Sequence, residues 1–156
     1  MKFLKTAIER RRFLATTSTG IVALLGWPGD ADSSPRGSVG QRQIAIVKEF
    51  LLSWSTDMPT VLSYLTEDCE CRLTQWGPER KGHLRIADGL ATYVGRPRAV
   101  VTRIIDCSSA GAVVMAHYEN RYVYESGDLV WEGVGTFLVK GDKIKEWRGY
   151  TIRVGP

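Results

Sequence analysis

Four apolar-rich runs near the C-terminal end, separated by three short turns, constrain this chain more than any other feature. Residues 100–107, 112–124, 129–139 and 144–152 alternate or run apolar over strand-like lengths. Between them lie Ser108-Ser109-Ala110-Gly111, Glu125-Ser126-Gly127-Asp128 and Lys140-Gly141-Asp142-Lys143. Each offers Gly or Asp where a hairpin needs left-handed backbone. Ahead of these runs the period is helical. Ile44, Val47, Leu51 and Trp54 recur at three and four residues from Gln41 onward, with Phe50 beside them. Asp57 suits an N-cap, with Pro59 in the first turn of a second short helix ending near Leu65. Residues 69–74 read as a short strand, Gln75-Trp76-Gly77-Pro78 as a loop, and 81–94 as a third helix. Three helices followed by an antiparallel meander is an α+β order, not a βαβ one.

The first 31 residues have a different character. Glu9-Arg10-Arg11-Arg12-Phe13-Leu14-Ala15 has two arginines, a spacer and Phe-Leu, and resembles the twin-arginine (Tat) signal of bacterial export. A mildly apolar stretch runs to Trp27, and Gly29-Asp30-Ala31 places small residues where a signal peptidase cuts. The stretch is shorter than the roughly 20 residues a bilayer span needs. The expected organisation is a signal peptide at 1–31, a Ser/Gly/Pro-rich linker at 32–40 and one domain at 41–156. The mature protein is expected in the periplasm or secreted, with no membrane association.

The chain carries 21 Lys+Arg against 17 Asp+Glu. Five of the bases and two of the acids lie in residues 1–31, so the remainder is nearly balanced, at 16 against 15. That argues against a nucleic-acid partner, which needs a concentrated basic surface. Cys69, Cys71 and Cys107 are an odd set. The first two share a strand face, a poor geometry for bridging each other, and the three read as free thiols. Cys-x-Cys lacks companions at zinc spacings, so no metal is expected. Gly133-Val134-Gly135 lacks the strand-loop-helix context of a dinucleotide site, so no cofactor is expected either.

Three strings carry a family resemblance: Phe50-Leu51-Leu52-Ser53-Trp54, Tyr64-Leu65-Thr66-Glu67-Asp68, and Gly135-Thr136-Phe137 running on through Lys143-Ile144-Lys145-Glu146-Trp147-Arg148-Gly149-Tyr150. Over residues 41–152 the chain resembles the nuclear transport factor 2-like superfamily, nearest its SnoaL-like members, the limonene epoxide hydrolase-like and polyketide cyclase-like proteins. The resemblance implies a cone-shaped curved antiparallel sheet with three N-terminal helices and an internal ligand cavity. Limonene epoxide hydrolases use an Asp-Arg-Asp set aided by a Tyr and an Asn. Without gaps, their Arg-x-Asp falls on His117-Tyr118-Glu119, their second Asp on Gly149, and their Tyr and Asn on Cys71 and Leu73. A slip of one residue puts Asn120 in place of Glu119.

His117, Glu119 and Arg121 share one face of their strand, with Tyr118, Asn120, Tyr122 and Tyr124 on the other. The resemblance aims the first set into the cone, where it forms a candidate catalytic trio: His117 and Glu119 as acid/base pair, Arg121 as anion stabiliser. Opposite parity would put the tyrosines inside and the charges in water. Cys71, Leu73, Trp131, Trp147 and Gly149 are the candidate substrate-binding residues, Gly149 leaving room for a bulkier ligand. Glu132, opposite in parity to Trp131, is expected to face solvent. The leading expectation is a cofactor-independent lyase, dehydratase or isomerase acting on a small apolar or aromatic molecule. The alternatives are an epoxide hydrolase-like enzyme with Glu119 activating water, and a non-catalytic binder of hydrophobic ligands or of a partner protein. The resembled group commonly pairs through the outer sheet face, which would make the protein a homodimer with Tyr118, Tyr122 and Tyr124 at its interface.

Overall fold

A computed structural model describes residues 36–94 and 97–155, within one compact unit spanning 33–156. The expected export signal lies outside the described residues. Helix α1 is Arg36–Leu52, followed by a 3₁₀ turn at Ser53–Ser55 and the short α2, Met58–Ser63. Then come β1 (Leu65–Arg72), β2 (Arg80–Lys81) and α3 (His83–Val94). The meander is β3 (Ala99–Ala110), β4 (Val113–Tyr124), β5 (Gly127–Lys140) and β6 (Lys143–Gly155).

Helix α1 starts at Arg36, inside the segment 32–40 that its composition marks as linker. Gly40 belongs to the helix because a Cβ there would come within 2.7 Å of Ser109 Oγ, so the glycine lets α1 approach β3. Val47, Phe50 and Leu51 supply its buried face. The α2 cap is as its sequence predicts: the Asp57 carboxylate accepts from the Thr60 amide at 2.8 Å, and Pro59 sits in the first turn. Strand β1 begins at Leu65, four residues before the expected start.

The six strands form one curved, unclosed sheet in the order β2-β1-β6-β5-β4-β3. All neighbours are antiparallel except β1 and β6, which run parallel with Cys71 opposite Trp147. Two-residue turns join the meander, and Gly111 and Gly141 occupy left-handed backbone at φ 61° and 66°. Helices and the concave sheet face enclose the core. At its centre Phe50 meets the ring edges of Trp147 at 5.3 Å, Phe137 at 6.0 Å and Trp54 at 6.2 Å. Burying each such ring stabilises the fold by roughly 4–6 kcal/mol before entropy is charged.

Candidate functional site

Strand parity decides what the cone contains. The β4 turn pairs Tyr124 with Gly127, and the same register sets Asn120 opposite Trp131 and Glu119 opposite Glu132. Residues directly opposite share a face. Trp131, Tyr118, Asn120 and Tyr122 are accordingly buried on the concave side. His117, Glu119 and Arg121 lie on the convex side, which corrects their expected place in the cavity. The cause is energetic. The tyrosines bury far more apolar area than a trio of ionisable groups, and the charges find partners outside at little desolvation cost. The tyrosines are for the same reason not available as an outer interface.

The concave side holds a cavity of about 100 Å³ whose lining includes Tyr118, Trp131, Trp147, Trp54, Leu73 and Leu90. Tyr118 and Trp131 lie with ring centres 5.3 Å apart at 48°. Asn120 is its buried polar group. Its Oδ1 accepts from Thr102 Oγ1 at 2.8 Å, and its Nδ2 donates to Tyr122 Oη at 3.2 Å. An amide nitrogen carries two protons, and this bond uses one of them. The Trp131 indole donates to Thr151 Oγ1 at 3.1 Å, whereas the buried indole nitrogen of Trp54 has no hydrogen-bond acceptor among the described residues. Burial pushes the Tyr118 phenol above its ordinary range, with smaller contributions from Tyr122 and Cys71, so it stays protonated as a donor. Among the described residues, no carboxylate, imidazole, ammonium or guanidinium lines this cavity.

Of the expected ligand contacts, Leu73, Trp131 and Trp147 line the cavity. Cys71 lies in the core, its thiol raised by burial and by neighbouring Cys69, so it is not an activated nucleophile. Cys69 is likewise raised, to about 12, chiefly by burial. All three thiols are free. Gly149 leaves no room for a ligand: a Cβ there would stand 2.3 Å from the Leu73 carbonyl oxygen, because the chain after β1 folds across it. An acid could not occupy this position without moving that backbone.

The convex side carries a connected row of charge. His117 Nε2 lies 2.9 Å from Glu132 Oε1, and Arg153 lies 3.1 Å from Glu132 Oε2. Arg153 also reaches Glu119 at 3.7 Å, and Arg103 holds the same Glu119 oxygen at 3.2 Å. Arg121 turns away to Asp128 at 3.8 Å. The imidazole is therefore partnered by Glu132, not Glu119. Asn120, Tyr118 and Tyr122 are among the cavity residues absent from the candidates that the sequence offers. The signal was present: Trp131 reads as inward, and the turn at Glu125-Ser126 ties its parity to Asn120.

Solved structures share this architecture. An LEH-like epoxide hydrolase from M. tuberculosis is 23% identical, with a TM-score of 0.62 over 72% of this chain and 84% of that one. A protein assigned to the SnoaL-like polyketide cyclases, from Jannaschia sp. CCS1, is 15% identical with a TM-score of 0.63 over 78% and 90%. TerC, co-crystallised with polyporic acid, is 14% identical with a TM-score of 0.59 over 69% and 89%. Comparison with curated proteins finds no match. The SnoaL-like domain model matches residues 47–147, most of the chain, and the protein thus belongs to the SnoaL-like family, with the nuclear transport factor 2-like fold.

Proposed function

We propose that the chain binds a small ring-bearing apolar molecule with one hydrogen-bonding oxygen, held between Tyr118, Trp131 and Trp147 and anchored by Asn120. The observation that carries this reading is the composition of the cavity wall, which is aromatic and donor-bearing and offers no base among the described residues. A site of this kind can orient a ligand and polarise a carbonyl through hydrogen bonds. Water activation by Glu119 loses support, because that carboxylate faces outward and is held by two guanidinium groups. The position one residue on is Asn120, whose amide cannot take a proton. The small molecule in TerC supports a ligand-binding role by analogy of fold alone.

A second reading keeps proton transfer but moves it. His117 and Glu132 form a His–carboxylate pair at 2.9 Å, a geometry that supports acid/base work on the convex face. Calorimetric titration of the full chain with phenol separates the two readings. Loss of binding in Asn120→Leu with retention in His117→Ala supports the cavity, and the reverse pattern sinks it. The Tat-like string supports an envelope setting for either activity. Arg10→Lys with Arg11→Lys should then hold the protein in the cytoplasm; unchanged export would refute that setting.

A further inference from the structure

A second hollow adjoins the cavity and shares two of its walls. It is a groove of about 390 Å³ between α3 and the start of β3, lined by Met58, Val61, Pro97 and Val100. Trp54 and Leu90 line both hollows. We infer that cavity and groove are two halves of one site, parted by Trp54 and Leu90, and that its ligand is an elongated amphiphile. The ring sits in the cone, a short chain passes the partition, and a carboxylate ends at Arg98. This inference rests on the cavity reading above and adds the ligand's shape and charge.

Size is the first argument. At about 100 Å³ the cavity is smaller than the roughly 300–1,000 Å³ of ordinary small-molecule sites, and the groove supplies the missing volume. The partition is the second. Trp54 sits in a three-residue 3₁₀ turn between α1 and α2, and its edge contacts are with Phe50 and Trp147. Its buried indole N–H has no acceptor among the described residues. A buried donor without an acceptor penalises the closed arrangement, so a ligand that brings an acceptor, or turns the indole toward water, relieves that cost.

Charge is the third. Arg98 is the cation on the described lining of the groove. Its amide donates to the Val123 carbonyl at 2.7 Å just ahead of β3, which ties Arg98 to the end of β4 beside the groove that it lines. Its guanidinium meets Glu125, with the two side chains 66% and 79% exposed. An ion pair so exposed is weak and exchangeable, and a ligand carboxylate can take the place of Glu125. The Ser55 and Thr56 hydroxyls are already spent on the Leu52 and Ser53 carbonyls, which leaves the rest of the groove to an apolar chain.

The test is calorimetry on the full chain with phenol, 4-phenylbutanol and 4-phenylbutanoate. The acid should bind about tenfold more tightly than the alcohol, the order expected of one charge-assisted hydrogen bond, and should displace phenol. Arg98→Gln should erase that tenfold preference while leaving phenol and the alcohol unchanged. Ala91→Trp, at a residue that lines the groove and not the cavity, should weaken both long probes and spare phenol. Phenol binding with no preference for the acid, or phenol and acid bound together, overturns the joined site and leaves the cavity reading standing. Failure of phenol itself removes the cavity reading, and this inference falls with it.

Discussion

The two faces of β4 differ by one residue of parity and share no chemistry. On the concave face Tyr118, Asn120 and Tyr122 are buried, short of solvent and held to neighbours by packing and neutral hydrogen bonds. On the convex face His117, Glu119 and Arg121 lie among charges from three other strands. The inner set is packed away from water and lines the cavity. The outer set neutralises itself in a medium that discounts each pair. A list of reactive side chains therefore points to the convex face, not to the cavity, and only the cross-strand register shows it.

Several changes would break or sharpen this contrast. The largest effect is expected inside. Trp147→Ala, at a residue 1% exposed, should cost about 3–5 kcal/mol in urea unfolding, the usual loss for a buried large aromatic. Gly149→Ala should cost about 1–3 kcal/mol, since its new methyl meets the Leu73 carbonyl. A neutral result there would mean that the crossing backbone yields easily. On the outside, Glu132→Gln should cost about 1 kcal/mol or less despite its His117 and Arg153 partners, because the row is partly solvated. A loss equal to that of Trp147→Ala would erase the distinction.

The faces should also fail at opposite ends of the pH scale. Asp68, Glu70 and Glu79 are lowered by hydrogen bonds to Lys145, Lys81 and Arg148 respectively. A depressed carboxylate contributes stability above its unfolded value, near 4, and that contribution is lost as pH falls through the folded value. The thiols Cys69 and Cys71 are raised from 9.0, Cys69 to about 12. Their contribution is complete below pH 9 and is lost as pH rises toward 12. Denaturant midpoints across pH should decline on both limbs. Cys69→Ala with Cys71→Ala should flatten only the alkaline one, and a decline unchanged by that double substitution would locate the alkaline weakness elsewhere.

Much of the architecture was legible in the chain. The meander announced itself because its turns carry Gly111, Gly127 and Gly141 at positions with positive φ, and alternation between them has only one period to follow. Asp57 marked its helix because a cap is a local interaction. Two features were not legible for long-range reasons. Helix α1 extends back to Arg36 because Gly40 packs on Ser109, a contact no local propensity encodes. The strand starts early because Leu65 pairs with Ile144 of β6, nearly 80 positions away, ahead of an irregular stretch that ends at Glu70. In the site, Leu73, Trp131 and Trp147 were found from the resemblance and the apolar pattern. His117, Glu119 and Arg121 lie outside the cone because the β4–β5 register sets Asn120, not Glu119, opposite inward-facing Trp131. Gly149 was read as empty space because a missing side chain says nothing about which backbone fills the gap.

The parallel pairing of β1 with β6 has a consequence for how the molecule comes into being. The meander assembles from neighbours joined by two-residue turns, whereas β1 must find β6 across about half of the chain, and long loops close late. Leu73, just beyond β1, and Trp147, on β6, stand on the two sides of that last contact and both wall the cavity. The pocket thus has no partial version. A ligand signal followed during refolding should rise with the slowest step, so that occupancy reports a finished molecule.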